Sequence, residues 1–284
     1  MQSLIFFALT TTIYLFSQPI VNGLVSPSTR RQTRWLAKTP QKTTFLPASA
    51  DDSSPTSSKG REPWDIIRFI SQSSKFIRPP RIPLLGERIG SEKRRVKPGE
   101  TLWAPSSAQN FFAFAPLDDV VMGGASSSSI DNNTGKWSGK VTDANNGGFV
   151  GIRSTPFQND MSLDMRDCNG IELKVRLGNG KRFKFVVRDS TEFNGICWTT
   201  TFDAAPQGSG GNVAIGFDRN TSIRLPFANQ VPTIFANTVA GKTFDAKNVV
   251  GLQLAYSKFE FNGRLNKNFV LGNFDLQILE IKSY

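Results

Sequence analysis

Gly170-Ile171-Glu172-Leu173-Lys174-Val175-Arg176-Leu177, followed after a short break by Arg182-Phe183-Lys184-Phe185-Val186-Val187-Arg188, is the stretch on which the fold turns. Ile171, Leu173, Val175 and Leu177 alternate with Glu172, Lys174 and Arg176. A strand turns successive side chains to opposite faces, so this period describes a strand with one buried face. Phe183, Phe185 and Val187 repeat it against Arg182, Lys184 and Arg188. Further out, Trp198 and Phe202 alternate through Thr199 and Thr201, Val213, Ile215 and Phe217 form another set, and Leu252, Leu254 and Tyr256 a third. Phe274, Leu276 and Ile278 slip phase to Leu279 and Ile281, the mark of a β-bulge. Asn-Gly pairs at 146–147, 169–170, 179–180, 194–195 and 262–263 punctuate these runs, and Asn-Gly suits the positive φ of hairpin turns. No helical period intervenes. That excludes a doubly wound α/β fold and predicts an all-β antiparallel sandwich, long enough at about 170 residues for a jelly roll.

Composition narrows the chemistry. The 284 residues include no histidine, which removes Ser–His–Asp and Cys–His catalysis, His-ligated zinc and imidazole proton shuttles. Cys168 and Cys197 are too few for a disulfide framework or a four-thiolate metal site. Both sit beside strand residues and read as buried small hydrophobes, with pairing open in an oxidising compartment. The net charge of +11 is unevenly placed: residues 1–100 hold 16 Lys/Arg against 7 Asp/Glu, and residues 101–284 hold 18 against 16. The folded part is therefore nearly neutral, and nucleic acid is not expected as its partner. RNA contact would fall to the basic segment 51–110.

Residues 1–23 carry a short apolar core, 4–16, of the length found in signal peptides and short for a membrane span. Residues 24–50 are basic, rich in Ser and Thr, and contain no acid, the composition of a transit peptide. Together they resemble a bipartite plastid leader; a mitochondrial destination ranks second and the secretory route third. In that route the sequons at Asn132 and Asn220 would accept glycans. The leader and the linker 51–109 are expected to be disordered, with one short helix at 63–77. Its Trp64, Ile66, Ile67, Phe69, Ile70, Phe76 and Ile77 suit a peripheral membrane contact, a partner, or packing on the domain 110–284.

Asp118-Asp119-Val120-Val121-Met122-Gly123-Gly124-Ala125-Ser126 follows an apolar strand at Phe111–Phe114. This element resembles the opening signature of the complex I intermediate-associated protein 30 family, an acid followed by Val-Met-Gly-Gly-x-Ser. The resemblance continues in order through Trp137–Val141, Gly148–Arg153, a central hairpin formed by Gly170–Arg176 and Gly180–Phe183, and Ile223–Phe227. It implies a galactose-binding-like jelly roll over 110–284. It also implies an assembly factor or chaperone that binds protein subunits or intermediates of respiratory complex I, or of a photosynthetic complex in plastid members. Some plastid members carry a fused dinucleotide-binding domain; this chain has no Gly-x-Gly-x-x-Gly, so no cofactor, metal or small-molecule substrate is expected.

In physical terms, Gly123 and Gly124 permit positive φ and close backbone approach, while Asp118, Asp119 and Ser126 can bind neighbouring amides. The element reads as a turn closing one sandwich end, or as a client-binding lip with Met122 in contact. An alternative function is carbohydrate binding on an aromatic platform drawn from Trp137, Trp198, Phe157, Phe193 and Phe202, most of which fall in the alternating runs and suit the core. A glycosidase using Asp118 and Asp119 is disfavoured, because adjacent strand residues point to opposite faces.

Overall fold

Every alternating run within reach pairs with others of its kind, and the pairs close into two sheets. A computed structural model describes residues 63–77, 92–157, 160–176, 181–204 and 220–284. The leader segments 1–23 and 24–50 and the strand expected at Val213–Phe217 lie outside these residues. With strands numbered in chain order, a seven-stranded antiparallel sheet runs β3 (Phe114–Pro116), β6 (Phe149–Ser154), β14 (Gly251–Ser257), β9 (Arg182–Arg188), β10 (Cys197–Asp203), β12 (Val231–Ile234) and β13 (Asn237–Thr238). The facing sheet runs β4 (Ser127–Asp131), β5 (Lys136–Val141), β15 (Gly272–Ser283), β8 (Gly170–Arg176) and β11 (Asn220–Pro226), with β2 (Thr101–Trp103) added on β15. A short parallel pair joins β1 (Lys93–Arg95) to β7 (Ser162–Asp164). This is an all-β sandwich of the jelly-roll type.

The core lies where the inward residues of the two sheets meet. Trp137 of β5 and Phe274 of β15 meet edge to face at 4.9 Å, and across the gap Trp137 meets Phe183 of β9 at 5.8 Å while Phe274 meets Tyr256 of β14 at 5.6 Å. Ile171, Leu173, Val175, Phe185, Val187, Leu252 and Leu254 are all fully buried around them. The Tyr256 hydroxyl is buried too, and it is satisfied by donating to Val270 O at 3.0 Å and accepting from Val270 N at 2.7 Å. Burying an aromatic hydroxyl without partners would cost more than its ring returns.

Three local expectations meet the structure directly. The phase slip at Leu279 is a register shift between Ile278 and Glu280 against β8. The Asn262-Gly263 pair has φ of 53° and 75° at a tight turn closed by the Phe259–Leu265 bridge. The third expectation fails: β8 and β9 are not a hairpin. β8 pairs with β11 and β15 in one sheet, and β9 pairs with β10 and β14 in the other. Alternation fixes which face of a strand is buried, not which strand lies beside it, so two amphipathic neighbours can arch across the core instead of pairing.

The sandwich also takes in residues upstream of 110. Leu102 and Trp103 are core residues, Val96 is fully buried, and Ser283 O accepts from Gly99 N at 3.0 Å. The cations of that stretch have acids: Arg94 reaches Glu100 at 2.8 Å, and Arg95 reaches Asp167 at 2.7 Å and Asp164 at 3.4 Å. Part of the basic linker is thus neutralised at the domain surface.

One surface network yields a pH prediction. Arg182 donates from Nε to Asp203 Oδ1 at 2.7 Å and from Nη1 to Glu260 Oε1 at 2.8 Å, tying β9 and β10 to the 259–265 turn. Its guanidinium holds both carboxyls below their ordinary values. A depressed folded value stabilises above the unfolded value, and the stabilisation is lost as pH falls through the folded one. R182Q is therefore expected to cost about 1–2 kcal/mol at neutral pH, with the gap to wild type closing as pH falls below the ordinary carboxylate range. Urea midpoints across that range check it; a gap that does not change with pH contradicts it.

Candidate functional site

The site forms where the chain leaves β3. Asp118 is extended, with φ −96° and ψ 175°, and Asp119–Met122 make one 3₁₀ turn that ends on Gly123 at φ +87°. The left-handed region is where glycine is favoured, and Gly123 N closes the turn onto Val120 O at 3.1 Å. Gly124 serves differently: a Cβ there would lie 2.8 Å from Asp119 Cβ and closer still to its carboxyl group. The two glycines are needed for conformation and for space respectively.

Both acids of the motif are buried, and both face donors. Asp119 Oδ1 accepts from Ser126 N at 2.9 Å; Oδ2 accepts from Gly148 N at 2.9 Å and Phe149 N at 3.3 Å. Ser126 Oγ in turn accepts from Thr142 N at 3.0 Å. Asp119 thus staples its own turn to the start of β6. Asp118 Oδ1 accepts from Ser128 Oγ at 2.6 Å and Gly151 N at 3.4 Å, and its Oδ2 from Ser128 N at 2.9 Å. Burial pushes the Asp118 carboxyl above its ordinary value, against the pull of Ser128, Gln72 and Arg68.

Those last two residues come from the segment read as linker. The only α-helix among the described residues, α1 (Ile66–Ser74), begins at Asp65, whose carboxylate caps Arg68 N at 2.9 Å. Arg68 Nη2 donates to Asp118 Oδ2 at 2.7 Å and to Ser126 O at 2.6 Å. Gln72, one turn on, donates to Asp118 Oδ2 at 2.9 Å and accepts from Asp118 N at 2.9 Å. Trp64 Nε1 donates to Val120 O at 2.9 Å, and Phe69 and Phe76 are buried beneath. The helix packs on the domain, as one reading of its pattern held, but through Phe69, Gln72, Phe76 and Arg68 and not through its isoleucines.

That packing leaves isoleucines outside. Ile66 is 52% exposed, Ile67 83%, Ile70 51% and Ile77 56%, with Trp64 at 39% and Met122, at the end of the same 3₁₀ turn, at 55%. The acids Asp118 and Asp119 with Gly123, Gly124 and Ser126 form the scaffold beneath; of the motif residues, Met122 stands outside. The sequence reading did not give Arg68 and Gln72 a role. Their signal was present, two polar residues four apart on a helix otherwise rich in isoleucine.

The other candidates are placed plainly. Trp137, Trp198, Phe157 and Phe202 are buried core residues, and Phe193 is half-buried with Arg153 over its ring at 5.2 Å. They form no exposed aromatic platform. Cys168 and Cys197 are both free. Cys168 is buried as expected, whereas Cys197 is half-buried and accepts from Arg188 Nη1 at 2.7 Å. No helix among the described residues is long and apolar enough to cross a membrane.

No curated protein matches the chain. Among solved structures, the family 11 carbohydrate-binding module of the cellulosomal cellulase Lic26A-Cel5E of Clostridium thermocellum aligns with a TM-score of 0.39 and 14% identity, over 65% of this chain and 94% of that one. An exo-beta-agarase aligns with a TM-score of 0.32 and 11% identity, over 65% of this chain and 25% of that one. The family profile of complex I intermediate-associated protein 30 matches residues 103–278, from the end of β2 into β15, and so includes the whole motif. The chain belongs to the complex I intermediate-associated protein 30 family, which is associated with complex I assembly.

Proposed function

We propose that the protein is a non-enzymatic assembly factor that holds an unfinished intermediate of an organellar membrane complex against the lip formed by α1 and Met122. One observation carries this reading: the isoleucines of the helix face outward. Isoleucine is a middling helix former, and four of them in or beside a short surface helix gain nothing locally. Contiguous apolar surface of this kind marks an interaction site, and each isoleucine covered by a partner returns about 1.5–3 kcal/mol. The motif acids support holding rather than turnover, since both carboxylates are buried and engaged by fixed donors, away from any substrate.

An apolar protein segment suits the lip better than a lipid surface. Interfacial helices present cations beside their apolar face, whereas among the described residues 63–77 Arg68 is turned inward onto Asp118 and Lys75 alone is an exposed cation. Family membership points to complex I in the mitochondrion; the acid-free leader favours a plastid and hence a photosynthetic complex. The two are separated by one experiment.

Tagged full-length chain is incubated with detergent-solubilised mitochondrial and thylakoid membranes, and co-purifying subunits are identified. Subunits of one complex should be enriched from one source, and I67D/I70D should reduce that recovery at least tenfold. Both positions are exposed, so the thermal midpoint should hold. Enrichment from neither membrane, or undiminished recovery with the double variant, overturns the proposal.

A further inference from the structure

The outer face of the seven-stranded sheet carries four cations, and they are provided for unequally. Arg182 reaches Asp203 and Glu260. Lys184 Nζ donates to Glu260 O at 2.6 Å and feels that residue's charge. Arg153 of β6 and Arg188 of β9 are more deeply buried, 7% and 3% exposed, yet neither meets a carboxylate among the described residues.

What surrounds these two guanidinium groups attracts a cation without neutralising it. Arg153 Nη1 donates to Phe193 O at 3.3 Å, and its guanidinium carbon lies 5.6 Å and 5.2 Å from the Phe76 and Phe193 ring centres. Arg188 Nη1 donates to Cys197 Sγ at 2.7 Å, and Nη2 donates to Glu192 O and, at 3.4 Å, to Phe193 O. Arg188 Nε is buried with no partner. Burial, then the neighbouring charge of Arg188, pushes Arg153 down to about 9, which leaves it charged at neutral pH. Two adjacent buried cations that meet the Cys197 sulfur but no carboxylate among the described residues are costly, and an anion would offset that cost.

There is a place for one. Arg153 and Arg188 line a small open pocket of about 20 Å³ together with Ser154, Ser190, Thr191 and Gly251. Ser154 Oγ accepts from Leu252 N at 3.0 Å, while Thr191 stands exposed at the rim. The space is small and about half polar, fitted to a compact group and not to a sugar ring. Guanidinium forks match tetrahedral oxyanions, and two positive charges balance a dianion.

We propose that this pocket is a binding subsite for a phosphate-type oxyanion, held by the guanidinium groups of Arg153 and Arg188, with Ser190 and Thr191 beside it. Phe76, just after α1, covers Arg153, but the proposal needs no client on the outward isoleucines and stands whether or not one binds there. Free phosphate and a phosphate headgroup share this chemistry. The test is differential scanning fluorimetry of the full-length chain with inorganic phosphate against chloride at constant ionic strength, alongside flotation with phosphatidate and phosphatidylcholine vesicles.

Wild type should be stabilised by phosphate in a saturable way, and R153Q and R188Q should weaken that response at least about 100-fold. T191A, at the rim, should weaken it about tenfold while leaving the unliganded midpoint unchanged, so the test does not depend on a core variant folding. A response to phosphate alone assigns a soluble ligand; phosphatidate binding that R188Q abolishes assigns a headgroup. The proposal is overturned if neither probe acts beyond its chloride or phosphatidylcholine control, or if R188Q and T191A respond as wild type does.

Discussion

Alanine at position 118 is expected to destabilise the domain by about 3–5 kcal/mol and to release α1, the largest effect of any single truncation at the motif. The reason is the number of groups that lose an acceptor together. Asp118 takes hydrogen bonds from Arg68, Gln72, the Ser128 amide and hydroxyl, and the Gly151 amide. Gln72 and the Gly151 amide have no route to water, and each buried donor left unmade costs about 1–3 kcal/mol. Arg68 is less trapped, because a quarter of its side chain is exposed and can be rehydrated.

Asparagine should be milder, since it keeps an acceptor and the shape. The pH dependence has a definite sign. With the folded Asp118 value raised, its stabilising contribution is full below the unfolded value and is lost as pH rises through the folded one. The advantage of wild type over D118N should therefore be greatest in acid and shrink toward neutrality. Urea unfolding gives the stabilities, and amide exchange across residues 66–74 reports helix release. A D118A midpoint within about 1 kcal/mol of wild type, with α1 still protected, would show that the carboxylate is not what holds the helix.

How far the sequence could be read is visible at this same junction. The strands were legible because side-chain alternation is a local, two-residue property that burial imposes on every member of a sandwich. The bulge at Leu279 was legible for the same reason, as a break in a regular count. The glycines of the motif announced a tight turn. Partner choice was not local. Arg68 and Asp118 are 50 positions apart, and nothing in the composition of α1 says that its isoleucines face outward. A helix rich in isoleucine reads as one that buries isoleucine, and its exposure becomes visible only when a buried carboxylate is found needing Arg68 and Gln72. The arch from β8 to β9 was hidden likewise, since two amphipathic strands in succession satisfy alternation equally well in one sheet or in two. Arg188 fell on the polar side of its strand's alternation, and Arg153 entered only as the end of a stretch resembling the family. Their burial comes from Phe76, Phe193 and the 190–195 turn folding over that face.

Gly124 should prove far less replaceable than its neighbour Gly123, and the contrast tests what Asp119 does. G123A places a methyl in open space, and only the left-handed backbone opposes it, at about 1 kcal/mol. G124A drives a methyl into the Asp119 side chain at a distance real Cβ atoms essentially never show. A free carboxylate would swing aside. This one is held by the amides of Ser126, Gly148 and Phe149, so yielding means giving up three hydrogen bonds in a buried site. The expected cost is about 3 kcal/mol or more, at the upper end for overpacking. G147A approaches the same carboxylate from the other side, with Asp119 Oδ2 at 2.5 Å and Thr142 O at 2.9 Å, and should rank with G124A.

A double-mutant cycle makes the argument specific. D119A alone loses the staple, but it also removes the carboxyl group that lies closest to the Gly124 methyl and leaves only the Cβ near it, so D119A/G124A should be more stable than the two single costs together imply, by about 1–3 kcal/mol. If the costs instead add, the methyl is opposed by backbone rather than by the carboxylate. The Gly-Gly step would then be required by the turn alone, and Asp119 would have no part in demanding it.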